Sequence, residues 1–182
     1  GFEPIDDLVF ELDYYDIELE DVVGVIGAQN LINMELDGDQ FPAGLGVFRN
    51  PTGRIDYIED SWTNVAKRAV EGIDFTVGYL WDTGEWGSLA PKLVWAHTLS
   101  YDFQSSPFNP SEDVAGQYNF GPEDRAQFTL AWNISDFTVG WRTDYIGKME
   151  AVYNLPSYTE HTLTVAWEAP WDATIQAGAR NL

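Results

Sequence analysis

The sequence predicts an all-β fold in which antiparallel strands follow one another in up-and-down order. Three observations indicate this fold. Apolar and polar residues alternate with a period of two over most of the chain, tight turns alternate with long irregular segments, and 8 Trp, 9 Tyr and 10 Phe enrich the chain in aromatic side chains. The 182 residues suffice for one ordinary domain, so we treat residues 1–182 as a single unit.

About seven strands are expected. The first begins where Phe10, Leu12 and Tyr14 alternate with acidic residues, and it continues in the opposite phase through Ile17 and Leu19. The other clear strands have their apolar positions within 73–81, 89–101, 128–134, 137–145, 163–167 and, more weakly, 173–179.

Residues Asp60–Gly72 are ambiguous. Asp60 or Ser61 could cap a helix that carries Trp62 and Val65 at helical spacing and ends at Gly72. We predict a strand nevertheless, because a helix would interrupt the sheet before Ile73 and leave backbone groups of the neighbouring strands unpaired. Gly72 is then a bend or a point of close packing.

The connections alternate in length. Short ones lie at 82–87, 135–136 and 170–172, and long ones at 25–53, 104–121 and 148–156. This pattern is typical of outer-membrane barrels, whose periplasmic turns are short and whose extracellular loops are long, and aromatic residues cluster near both strand ends. The side chains at the apolar alternate positions of these strands should then face lipid. They include Phe75, Val77, Tyr79, Trp132, Trp141, Val165 and Trp167. A soluble β-sandwich would also account for the alternation.

Composition excludes several functions. Nine basic against 30 acidic residues give a net charge of −21, which opposes binding to nucleic acid. Cysteine is absent, so disulfides, thiolate metal sites and cysteine nucleophiles are excluded. The longest charge-free stretch, residues 22–34, is too short and too polar for a transmembrane helix.

Five motifs in order resemble the TonB-dependent receptors of the Gram-negative outer membrane. They are the acidic-apolar strand Asp7–Gly24, the loop return Arg49–Ile55, the stretch Asn64–Phe75, the strand opening Pro122–Arg125 and the segment Gly178–Leu182. The resemblance implies that these strands belong to a barrel of about 22 and lie just before its last strand. It also implies a plug domain, a TonB box and a last strand that are not found in this sequence.

The resemblance implies an active transporter that imports a scarce ligand, such as an oligosaccharide or a ferric siderophore, with energy from the TonB system. The expected partners are outer-membrane lipid, the plug and remaining strands, the TonB complex acting through the plug, and the ligand. We expect no cofactor and no nucleic acid. The expected location is the outer membrane of a Gram-negative bacterium.

Charged residues of the polar parity are the candidate lumen-facing sites. These candidates are Lys92, Arg142, Asp144, Glu168 and Arg180. We expect them to form salt bridges with neighbouring strands or the plug, or to contact the ligand. Aromatic residues of the long loops are further candidates for stacking on a ligand.

Metal and catalytic sites are weakly indicated. Glu35, Asp37 and Asp39 could offer oxygen ligands to Ca²⁺, although a solvated acidic loop explains them as well. His97 and His161 lie on different strands and carry little weight as metal ligands. No hydrolase motif is found, so an enzyme is not expected. The strand pattern is also compatible with a passive porin or with a soluble lectin-like sandwich.

Overall fold

A computed structural model describes residues 6–150 and 153–181. Seven long strands dominate it: β1 (Leu8–Gly24), β4 (Thr63–Tyr79), β6 (Ser88–Gln104), β8 (Asp124–Ile134), β9 (Phe137–Ile146), β10 (Tyr158–Ala169) and β11 (Ala173–Arg180). The shorter elements are the helix α1 (Ala28–Asp37), the strands β2 (Gly46–Arg49), β3 (Ile55–Glu59), β5 (Trp81–Asp82) and β7 (Glu112–Asp113), and the 3₁₀ turn Gly84–Trp86.

The long strands form one sheet in the order β1-β4-β6-β8-β9-β10-β11, with β5 and β7 paired to β6, while β2 and β3 form a separate hairpin. Each long strand therefore lies beside its neighbour along the chain, which confirms the predicted up-and-down order. Because β4 spans Thr63–Tyr79, the strand predicted for this region is also confirmed and the helix is wrong.

The short connections are confirmed as tight turns. Ser135 adopts a positive φ of 50°, as the first residue of a two-residue turn between antiparallel strands often does. Asp172 adopts a positive φ of 59° as the last residue of the three-residue turn between Ala169 and Ala173, where the left-handed conformation is common. Of the long connections, the third includes residues 151–152, which lie outside the described residues.

The chain comprises two compact units. The first comprises the described residues of Gly1–Tyr15, Glu71–Leu99 and Ala115–Leu182, and the second Asp16–Val70 and Ser100–Val114. The strands β1, β4 and β6 contribute residues to both.

The second unit contains a small apolar core. Leu31 and Met34, one turn apart on α1, are buried with Ile26 and Leu45. Gly38 ends the helix in the left-handed conformation at φ 78°, and its N–H bonds the carbonyl of Met34. The expectation that residues 25–53 are wholly irregular is therefore wrong, because apolar residues at helical spacing pack here against the β2–β3 hairpin.

The first unit is a sheet with two different faces. Residues that pair directly across antiparallel strands point to the same face. Trp141 pairs with Leu130 and Leu163, so an apolar face crosses β8, β9 and β10. Val139, between Trp132 and Val165, extends this face by a further row.

The apolar face is exposed in this chain. Trp141 is 45% exposed and Val165 36%, whereas a sandwich would cover such residues with a second sheet. Only seven apolar residues of the described chain are buried, and four of them belong to the core beside α1. The alternative of a soluble sandwich does not account for this exposed face, which is typical of the lipid-facing side of a barrel section, so the predicted fold class is confirmed.

Candidate functional site: a polar ladder on the inner face

Two adjacent rows of polar side chains cross the face opposite Trp141. The first row follows cross-strand pairing through β6, β8, β9, β10 and β11, and contains Lys92, Thr129, Arg142, Thr162 and Arg180. The second row contains Gln127, Asp144 and Glu160. We call these eight residues the polar ladder. Three of the nine basic residues of the chain thus share one row.

Arg142 and Asp144 form a bidentate pair on β9. Arg142 Nε donates to Asp144 Oδ2 at 2.7 Å and Nη2 donates to Oδ1 at 2.8 Å. Gln127 on β8 donates from Nε2 to Asp144 Oδ1 at 2.9 Å. The two planar groups lie on one face because residues i and i+2 of a strand point to the same side.

Arg180 and Glu160 form the second ion pair. Arg180 Nε donates to Glu160 Oε1, and Tyr158 Oη donates to Glu160 Oε2 at 3.1 Å. The Glu160 side chain is only 13% exposed, whereas that of Arg180 is 72% exposed. The carboxylate is therefore held near the strand surface while the guanidinium extends into open space.

These pairs line a concave site of about 410 Å³ in the first unit. Val94, Ala96 and Ile146 contribute apolar surface, and Arg125 contributes a third guanidinium. On the side away from this site, the row next to Lys92 and Arg142 consists of small residues, so it does not crowd the side chains of the polar ladder. The residues of this row are Ala90, Ala131, Gly140, Thr164 and Gly178.

The structure brings together three of the five sequence candidates. Arg142, Asp144 and Arg180 line the same concave site, and Lys92 lies in their row without an ion pair among the described residues. Glu168 is opposite Thr174, six residues along β10 from the ladder residue Thr162, which is about 20 Å along a strand. It does not belong to the site.

Sequence reasoning missed Arg125, Gln127, Tyr158 and Glu160. All four occupy the polar parity of their strands, so the alternation could have found them. Their proximity to Arg142 and Arg180 depends on strand register, which the alternation alone does not define.

Both histidines lie on the apolar side of the sheet. His97 Nδ1 is 2.9 Å from Asp124 Oδ1, which also accepts from Trp95 Nε1 at 3.0 Å, and His161 Nδ1 is 2.9 Å from Thr143 Oγ1. His97 thus has an acidic neighbour that the sequence did not reveal, contributed by another strand. No group of three or more His, Asp or Glu residues arranged to hold a metal is found in the described part of the chain.

The acidic loop of the second unit contains an ion pair. Arg49 donates to both carboxylate oxygens of Glu35, with Nη2 at 2.7 Å from Oε2. These hydrogen bonds hold the pKa of the Glu35 carboxyl below its ordinary value. Asp37 and Asp39 follow at the end of α1 and just beyond it, so the Ca²⁺ site stays a prediction in which Glu35 would have to exchange its arginine partner for the ion.

The β2–β3 hairpin presents two stacked aromatic rings. The rings of Phe48 and Tyr57 lie 4.5 Å apart at 14°, and the two residues are 42% and 53% exposed. The turn between the strands is rigid, because Asn50 Oδ1 accepts hydrogen bonds from the backbone N–H groups of Thr52 and Arg54. A planar ligand group could stack on such a surface.

In the part of the chain that the structure describes, neither helical segment combines the length and apolar character needed to cross a bilayer.

The family model described as "TonB dependent receptor-like, beta-barrel" matches residues 1–182. No curated protein matches the chain. This family consists of receptors and transporters of the Gram-negative outer membrane and is not a family of enzymes. The resemblance seen in the five motifs is confirmed, and the chain belongs to the TonB-dependent receptor β-barrel family.

Proposed function

We propose that this chain is part of the wall of an active outer-membrane importer. The importer captures a scarce ligand from outside and moves it inward with energy from the TonB complex, which acts through a plug domain. The proposal rests on the family and on the concave site at the polar ladder. An oligosaccharide or a ferric siderophore is the class of ligand we expect.

The polar ladder supports ligand contact at the inner face. In a transmembrane barrel the apolar face meets lipid and the polar face meets the aqueous interior. Arg142, Asp144 and Glu160 hold fixed, planar hydrogen-bonding groups there, and Tyr158 adds a ring. Planar polar groups beside an aromatic ring are suited to ligands rich in hydroxyl or carboxylate groups.

The β2–β3 hairpin of the second unit supports the proposal that the ligand is captured on the extracellular side. Phe48 and Tyr57 expose an ordered aromatic surface in a long loop, and loops on rigid scaffolds commonly carry binding residues. The packed core beside α1 holds that loop in place, so capture there does not require ordering of a flexible chain.

Uptake measurements test the proposal. Cells that lack the full receptor gene should lose uptake of its ligand from a panel of labelled oligosaccharides and ferric siderophores. Cells that keep the receptor but lack TonB should lose it as well. Uptake that continues without TonB would instead indicate a passive porin, which shares the same strand pattern.

A further inference from the structure

The concave site at the polar ladder is positively charged within a strongly negative chain. Its lining contains three guanidinium groups, from Arg125, Arg142 and Arg180, and two carboxylates, from Asp144 and Glu160. One net positive charge therefore remains, whereas the chain as a whole carries −21. Such a local excess of positive charge favours an anionic group at this place.

Arg125 is the source of this excess charge. Arg142 pairs with Asp144 and Arg180 pairs with Glu160, but Arg125 makes no ion pair among the described residues. Its cross-strand neighbours are Ala96 and Ile146, which have no acceptor in their side chains.

The acidic residue that is close to Arg125 in sequence does not pair with it. Glu123 precedes it by two residues, but the Glu123 carboxylate turns towards Gly116, where Oε1 lies 2.9 Å from the position that a Cβ would take. The Arg125 guanidinium lies near a different glycine, with Nη2 3.4 Å from the corresponding position of Gly121. The guanidinium therefore remains available at the edge of the site.

A second unpaired cation lies further along the same face. Lys92 pairs with Thr129, which is four residues from Arg125 on β8, so the two backbone positions are about 14 Å apart. An extended ligand with more than one negative group could contact both. A compact ligand with one such group would reach Arg125 alone.

We propose that the ligand of this importer carries a carboxylate and that Arg125 binds it. The inference rests on the proposed function and specifies its substrate class. Guanidinium and carboxylate match in a planar, bidentate geometry. The apolar side chains of Val94, Ala96 and Ile146 lie beside the charged groups in the lining of the same site. An acidic saccharide and a carboxylate chelate of iron share this chemistry.

Calorimetric titration of the intact receptor in detergent tests the proposal. The probes are trigalacturonate and ferric citrate, and the neutral control is the methyl ester of trigalacturonate. We expect at least one carboxylate probe to bind about tenfold or more tightly than the ester, and Arg125→Gln to remove that advantage. Binding of trigalacturonate alone identifies an acidic saccharide, and binding of ferric citrate alone identifies a chelate.

Two further variants complete the experiment. Arg125→Lys keeps the charge but not the bidentate geometry and should retain part of the affinity. Lys148→Gln removes a cation that pairs with Glu150 outside the site and should bind as the unchanged receptor does. Thermal unfolding of each variant verifies that it is folded.

Three results would overturn the proposal: binding of the ester as tight as that of trigalacturonate, affinity unchanged by Arg125→Gln, or binding of neither carboxylate probe. The uptake measurements test the proposed import function separately from the ligand chemistry. TonB-dependent uptake of a neutral ligand would reject the carboxylate while leaving active import intact.

Discussion

Gly72 shows how a single missing side chain allows two strands to approach. A Cβ at this position would overlap the hydroxyl of Tyr15 and lie 2.8 Å from the carbonyl oxygen of His97. The Tyr15 side chain therefore occupies the space above Gly72. This agrees with the interpretation of Gly72 as a point of close packing within a long strand.

Gly72→Ala should destabilise the folded receptor by about 1–3 kcal/mol, because the methyl group must displace a ring and strain the backbone. Gly78→Ala is the matched control on β4, since its Cβ would meet nothing closer than Lys92 Cγ at 3.7 Å. Denaturant unfolding in lipid vesicles measures both. Equal stabilities of the two variants would contradict the packing at Gly72.

Trp141 tests which face meets lipid. Trp141→Arg should lower the free energy of unfolding in vesicles by up to about 2–4 kcal/mol at mid-bilayer depth, and by less near an interface. Thr138→Arg adds the same charge to β9 on the polar face, beside Asn133, and should cost much less. A smaller cost at Trp141 than at Thr138 would reverse the assignment of the faces.

Strands and helix differ in how far the sequence predicts them. The alternation along β8, β9 and β10 has one period and few interruptions, so their existence and orientation could be predicted. The stretch that begins β4 satisfies helical rules as well, and only pairing with β1 and β6 decides in favour of a strand. The helix α1 was missed because it lies within a long segment between strands and begins after Gly27, where no capping side chain indicates the start of a helix.

The candidate site was predictable to a similar extent. Arg142 and Asp144 are two residues apart on one strand, so their common face follows from the alternation. Glu160 and Gln127 join them only through the register of β9 with its two neighbours. A shift by one residue would place them on the opposite face.

The ion pair between Arg49 and Glu35 links the stability of the second unit to pH. Because Arg49 lowers the pKa of Glu35, the pair stabilises the unit fully above the ordinary value of a glutamate, about 4.3, and this contribution is lost as pH falls through the lowered pKa. Glu35→Gln should therefore speed hydrogen exchange in α1 at pH 7.

This difference between Glu35→Gln and the unchanged receptor should shrink as the pH falls through the lowered pKa of Glu35, because the carboxylate then becomes protonated and loses its charge. Exchange measured by mass spectrometry and corrected for the intrinsic pH dependence of amide exchange provides the comparison. Asp56→Asn on β3 is the control, since Asp56 forms no ion pair among the described residues. A constant difference between pH 7 and pH 3 would exclude the Arg49–Glu35 pair as its origin.

The molecule as a whole has little apolar interior, and this follows from its environment. A soluble protein buries its aromatic residues against one another, whereas here Trp141 and Val165 remain exposed and the buried core is confined largely to the surroundings of α1. The backbone groups of the long strands are satisfied by their neighbours in the sheet, as a bilayer requires. Within the described residues, β1 and β11 stand at the two ends of the strand order and each pairs with one long strand, as is typical of a section of a larger barrel.

Site-specific labels can measure this two-faced arrangement, because these 182 residues contain no cysteine that would compete for the label. Single cysteines at Thr138 and Thr162 on the polar face, and at Val139 and Leu163 on the apolar face, can each carry a nitroxide label in the intact receptor. We expect labels at Val139 and Leu163 to collide more with oxygen, which concentrates in lipid, than with a water-soluble nickel chelate. Labels at Thr138 and Thr162 should show a lower ratio of oxygen to nickel collisions, because they face the barrel interior. Ratios that fail to alternate between Thr138 and Val139 would refute the transmembrane orientation of β9, and with it the placement of the polar ladder inside the barrel.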